Sequence, residues 1–191
     1  MTTLFYSRSY TNNDRVLNYG GTTAEMQMLY HLNLGEPLLA AGDEIVAPVR
    51  SIKNRDSEET DALGGWNRYG PPVPGQAEHC FFLELHADRS NRTRVLLKRP
   101  NGEAGTSVEY DAQSLPCFTL WKNMVASADG YVTGLEPGVN FPNPRSVEAE
   151  QGRVVRLAPG ERWSTSLTVQ RLVTADEVTA AEEAIRGLAT S

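Results

Sequence analysis

Three short stretches carry side chains able to move protons or hold a polyol. His31 and Asn33 stand two residues apart in Leu29-Tyr30-His31-Leu32-Asn33-Leu34-Gly35, and Glu136 closes Tyr131-Val132-Thr133-Gly134-Leu135-Glu136 just before Pro137. Trp121 and Lys122 follow Leu120, and Glu78 precedes the apolar run that starts at His79. An imidazole and a carboxylate are natural partners for moving a proton on and off oxygen.

Alternation along extended backbone sorts these residues by face. From Glu25 to Leu34, His31 and Asn33 share one face, about 7 Å apart, while Met26, Met28, Tyr30, Leu32 and Leu34 take the other. Glu136 falls with Val132 and Gly134. A glycine there leaves space beside the carboxylate. Lys122 falls with Phe118 and Leu120, whereas Trp121 takes the opposite face. Each residue also has a plainer role. A lone histidine is more often hydrogen-bonded structure than catalyst, and a strand-end glutamate can simply face water or cap a turn. Tryptophan serves equally well as a sugar platform or as core. Glu84 and His86 share a face but lack a third ligand at a recognised spacing, so an ion pair or solvent contact is preferred over a metal. The sequence has no Gly-rich phosphate loop, Gly-x-Ser-x-Gly elbow or Cys/His nucleophile pattern.

The elements that must hold these residues read as strands punctuated by turns. Strands are expected over Leu4–Tyr10, Arg15–Asn18, Glu25–Leu34, Glu44–Val46, His79–His86, Arg92–Lys98, Ser107–Tyr110, Phe118–Met124, Tyr131–Glu136, Arg153–Leu157 and Trp163–Leu172. Gly20-Gly21, Gly42-Asp43, Asn101-Gly102, Asp129-Gly130 and Pro159-Gly160 supply turn signals. The pattern predicts a mainly β chain folded as an antiparallel β-sandwich. Residues 51–77, polar and rich in proline around Trp66, read as one long loop insert. Thr174 with Glu177 forms a capping box, and Val178, Ala181, Ile185 and Leu188 fall on one helical face. The expected organisation is a sandwich domain over residues 1–173 followed by one C-terminal helix or tail over 174–191.

Composition narrows the function classes. The 191 residues are 40% hydrophobic and carry a net charge of −6, enough for a core and opposed to nucleic-acid binding, which needs concentrated Lys and Arg. No apolar run is long enough to span a bilayer. The N-terminus lacks a signal-peptide pattern. Cys80 and Cys117 sit in strand-like runs without metal-type spacing and read as buried, reduced thiols. A cytoplasmic location is expected.

The order Leu-Tyr-His-x-Asn-x-Gly with Pro37-Leu38-Leu39, then Leu115-Pro116 and Trp121-Lys122, then Gly134-Leu135-Glu136-Pro137 resembles the aldose 1-epimerase (galactose mutarotase-like) superfamily. The nearest likeness is to its domain-of-unknown-function 4432 branch, over about Asp14 to Leu172. That resemblance implies a large antiparallel supersandwich that binds a free sugar on a concave face and interconverts its anomers by ring opening. It implies Glu136 as an initially ionised base and His31 as an initially protonated acid, on opposite sides of a sugar-sized gap, and Asn33, Trp121, Lys122 and Glu78 as sugar-binding residues, with no metal or organic cofactor. It also implies a long N-terminal half before the matched segment, carrying further strands, another histidine and polar sugar ligands. The expected alternatives are therefore a non-catalytic carbohydrate-binding module, or a chain that pairs as a homodimer or with an N-terminal partner chain.

Overall fold

The computed structural model describes residues 7–57 and 65–189. The strands in chain order are β1 (Ser9–Leu17), β2 (Ala24–Met26), β3 (Leu32–Gly35), β4 (Glu44–Val46), β5 (Val49–Asn54), β6 (His79–Leu85), β7 (Arg92–Lys98), β8 (Gly105–Asp111), β9 (Cys117–Asn123), β10 (Val132–Gly138), β11 (Val155–Leu157) and β12 (Arg162–Leu172). Two α-helices, α1 (Arg145–Glu150) and α2 (Ala175–Ala189), and a short 3-10 turn at Ser127–Asp129 complete the described chain. One five-stranded sheet runs β1-β12-β8-β7-β4, and a second runs β3-β10-β9-β6-β5. Every pairing in both is antiparallel. A small β11-β2 ribbon stands apart from them.

The sandwich follows from alternation. Phe81 and Leu83 of β6, Phe118 and Leu120 of β9 and Leu135 of β10 meet Val95, Leu97, Val108, Tyr110 and Leu167 of the opposing sheet in one buried core. Burying each such side chain is worth about 1.5–3 kcal/mol, so every second residue of β6, β9 and β10 is committed inward. The alternate residues are thereby forced onto the outer face of the second sheet.

The mainly β, antiparallel architecture and the C-terminal helix are as the sequence predicts. Glu177 N–H donates to Thr174 Oγ1 at 3.3 Å, the N-cap half of the capping box, while the Glu177 carboxylate accepts the N–H of Val173, one residue before the cap, at 2.8 Å. Val178, Ala181 and Ile185 then pack on Leu96 and Leu172. Three expectations change. The Glu25–Leu34 strand is split into β2 and β3 with a single bridge at Leu29 between them. The 51–77 segment begins with β5 instead of loop, and the described part of Trp66's surroundings packs it against the core. Arg15–Asn18 is the end of one longer strand, β1; part of the expected Leu4–Tyr10 strand lies outside the described residues.

Candidate active site

The outer face of the second sheet gathers the chemistry. Glu136 pairs with Thr119, Thr119 with Phe82, and Phe82 with Lys53. Continuing the β10–β3 register from Leu135–Leu32 by one residue puts His31 beside Glu136. A single row thus crosses the sheet as His31, Glu136, Thr119, Phe82, Lys53. The adjacent row, two residues along, carries Asn33, Gly134, Trp121 and Cys80.

His31 Nε2 lies 3.0 Å from Glu136 Oε1. The glutamate side chain is 4% exposed and the histidine 45%, so imidazole shields the carboxylate from water on one side. Burial pushes the Glu136 carboxyl up to about 7. A carboxyl at that value exchanges protons near neutral pH, which a general base or acid requires. The Trp121 ring meets the His31 ring edge to face at 5.8 Å between centroids. Trp121 Nε1 donates to Glu78 Oε2 at 2.8 Å, and Arg55 holds the other Glu78 oxygen at 3.0 Å. These two bonds bring Glu78 below the usual carboxylate range. Glu78 therefore fixes the indole beside the acid–base pair.

The expected gap between His31 and Glu136 is absent: the two side chains touch. The cause is local. Gly134 has no side chain, so the carboxylate folds back over it; a β-carbon there would stand 2.3 Å from Glu136 Oε1 and 3.1 Å from His31 Cε1. The space that glycine leaves is filled by the glutamate itself.

Lys122 is not brought to this face. It is 2% exposed and points into the sandwich. Its Nζ donates to the carbonyls of Gly65, Trp66 and Arg68 at 3.4, 3.0 and 2.6 Å and lies 4.8 Å from the Tyr69 ring centre. Desolvation brings this ammonium down to about 8. The alternation that puts Lys122 with Phe118 and Leu120 already separates it from Trp121, and the carbonyls explain how a charge is tolerated there. His31, Glu136, Asn33, Trp121 and Glu78 do gather on one side of the sheet. Among the described residues no cluster of three or more His, Cys, Asp or Glu could hold a metal ion, and Glu84 instead pairs with Arg50 at 3.1 Å.

A family model described as a domain of unknown function (DUF4432) matches residues 1–170. The chain belongs to that family. This DUF4432 chain also matches solved structures. A Klebsiella pneumoniae protein described as a candidate aldose 1-epimerase is 32% identical, with a TM-score of 0.92 over 96% of this chain and 48% of its own. A galactose mutarotase-like protein from Clostridium acetobutylicum is 14% identical, with a TM-score of 0.54 over 86% of this chain and 52% of its own. A candidate aldose 1-epimerase from Escherichia coli K12 is 16% identical, with a TM-score of 0.54 over 86% of this chain and 56% of its own. The chain thus spans about half the length of these structures. No curated protein matches it.

Two features of the DUF4432 site escape the motifs. Phe82 stacks on Phe141 at 4.5 Å between centroids, and Phe141 belongs to the segment after β10 that crosses over the sheet. Lys53 lies on β5, inside what reads as loop. The apolar residues of β5, Val49 and Ile52, stand three apart across a β-bulge, so no period-two alternation announces the strand; nothing local in the sequence announces the Phe82–Phe141 contact.

Proposed function

We propose that this protein binds a free aldose on the outer face of the second sheet and interconverts its anomers, with Glu136 as base and His31 as acid. The observation that carries this reading is the His31–Glu136 contact itself: a buried carboxyl raised to about 7 against a half-exposed imidazole 3.0 Å away. The anomeric hydroxyl and the ring oxygen are bonded to the same carbon, so both can face an adjacent acid and base at once. Glu136 takes the hydroxyl proton, the bond from C1 to the ring oxygen breaks, and the ring oxygen takes the proton that His31 gives up. The products are an aldehyde and a free hydroxyl. Rotation about C1–C2 and the reverse transfers close the other anomer. Trp121 offers an apolar surface to the sugar's C–H face, and Asn33, exposed one row away, offers an amide to its hydroxyls. The two thiols, both free and buried, support a reducing, cytoplasmic setting.

The direct contact also favours a second reading, a carbohydrate-binding protein without turnover, because the pair is already satisfied by itself. Magnetisation exchange between α and β anomers separates the two. Interconversion above the buffer rate that falls by ~10²–10⁴ in Glu136→Gln supports catalysis. Sugar binding with no added exchange in the wild type leaves the binding role alone.

A further inference from the structure

Among the described residues, two buried side-chain polar atoms lack a hydrogen-bond partner, Asn140 Oδ1 and Thr119 Oγ1. Folded proteins rarely leave such groups unpaired, because the desolvation they suffer is not repaid. Thr119 is 1% exposed and is the direct cross-strand partner of Glu136. Residues opposed in this way hold their β-carbons within about 4.5–5.5 Å, so the hydroxyl is within reach of the carboxylate. The two groups do not meet in this structure. The carboxylate is turned away along its own strand, over Gly134, where Oε1 lies 3.0 Å from His31 Nε2.

The surroundings leave the Thr119 hydroxyl one acceptor. Phe82, its partner on β6, offers only carbon. The Trp121 indole N–H is a donor and already serves Glu78 at 2.8 Å. Cys117 Sγ is turned to the Val139 carbonyl, and Glu84 is held by Arg50 and Ser51. Cys80, on the adjacent row, carries a thiol pushed up to about 11 and is neutral. Glu136 has the complementary lack: among the described residues His31 is its only polar partner. A sugar whose anomeric end enters between acid and base must part that contact. The freed carboxylate then needs a donor, and rotation about its side-chain bonds brings it to the hydroxyl across the strand.

We propose that Thr119 is a positioning residue for the base: its hydroxyl takes the Glu136 carboxylate when the sugar parts it from His31. The proposal deepens the anomer-exchange reading and rests on it for the role of Glu136. A hydrogen bond donated to a carboxylate favours the ionised form. While the pair is in contact over Gly134 it can share one proton; with the carboxylate on Thr119 that proton stays on His31. This is the distribution ring opening starts from, an ionised base and a protonated acid. Both positions of the carboxylate are used in a turn. Thr119 itself, buried under these side chains, does not touch the sugar.

The test compares Thr119→Val, which keeps the shape and removes the hydroxyl, with Thr119→Ser, which keeps the hydroxyl. Glucose and galactose are the probes for anomer exchange by NMR, and Glu136 is titrated through its carboxyl carbon. Thr119→Val should be at least as stable to urea as wild type, because it removes a buried hydroxyl that has no partner at rest. Its exchange at about pH 6 should fall roughly tenfold with KM unchanged. The loss should shrink at higher pH, where the base ionises without help, and Thr119→Ser should restore exchange. A sugar-free arm uses His31→Ala, which frees the carboxylate. Adding Thr119→Val there should make Glu136 titrate at higher pH, whereas Thr119→Val alone should leave its titration nearly unchanged. A Glu136 titration indifferent to Thr119→Val in the His31→Ala protein overturns the proposal. So does wild-type exchange in Thr119→Val across the pH range, or a marked loss of its stability, which would make the hydroxyl a structural bond. No exchange in wild type, with the His31→Ala titration still dependent on Thr119, sinks the anomer-exchange reading and leaves the Thr119–Glu136 contact standing.

Discussion

The Glu136 carboxylate rests on the bare backbone of Gly134, close enough that a β-carbon at 134 would stand 2.3 Å from Oε1. The obstructing atom is the end of a flexible side chain, so Gly134→Ala is accommodated by moving the carboxylate. Stability should change by less than about 1 kcal/mol, measured by urea denaturation. The His31 contact, however, is lost, and anomer exchange should drop at least ~10-fold. An alanine variant with full exchange activity would show that the carboxylate's rest position does not matter.

The Glu136 carboxyl also sets a pH dependence. Its value is raised from 4.5 when free to about 7 when folded, so the folded state holds the extra proton between those limits. Its contribution to stability is fully present below about pH 4.5 and is lost as pH rises through about 7. The full difference is on the order of 3 kcal/mol, reduced to the extent that a charged His31 stabilises the anion. Wild type should therefore lose stability relative to Glu136→Gln as pH rises across this window, while anomer exchange, which needs the ionised base, should rise. A stability difference that stays flat across the window would place the Glu136 titration elsewhere.

Much of the fold is legible because burial and alternation agree. Phe118, Leu120 and Leu135 leave β9 and β10 only one way to face, and that same constraint puts Trp121 and Glu136 outside. The contact between His31 and Glu136 is harder to read. It depends on how a side chain folds over Gly134 and on the register of β3 against β10, and neither is local to a motif. β5 is hidden because it is short, half exposed and followed by polar sequence. Thr119 shows a further limit. Its hydroxyl is buried beside Glu136 without a hydrogen-bond partner, a fact no spacing predicts.

Lys122 separates a structural role from a sugar-binding one. Lys122→Met keeps the stem that packs under Tyr69 and removes the donor to three carbonyls. Leaving buried carbonyls unpaired costs about 1–3 kcal/mol each at most, so a clear fall in melting temperature is expected. Amide exchange should quicken at residues 65–69. Sugar affinity of the folded variant should be unchanged, since the ammonium faces away from Trp121. A variant with wild-type stability and weakened sugar binding would put Lys122 back among the sugar contacts.

The segment after β10 depends on Glu148, whose side chain is wholly buried. It accepts the Phe141 N–H at 3.1 Å, the Asn143 amide at 2.8 Å and both Arg153 Nε and an Arg153 terminal nitrogen at 2.6 and 2.8 Å. Arg153 in turn lies 5.2 Å from the Phe141 ring centre, and Phe141 stacks on Phe82. One carboxylate therefore holds the segment that covers Phe82. Glu148→Gln leaves Arg153 without its counter-ion, and breaking such a buried pair costs ~3–5 kcal/mol; the lower end is expected because the Arg153 side chain is 27% exposed. Replacing both residues, as Glu148→Gln with Arg153→Met, should recover part of that loss because no unpaired charge remains. Urea denaturation of the two single variants and the double gives the coupling directly. The Phe82–Phe141 stack should loosen in Glu148→Gln, read as faster amide exchange at Phe141. Additive losses in the double variant would mean that Glu148 holds this segment through Phe141 and Asn143 alone, with Arg153 a bystander.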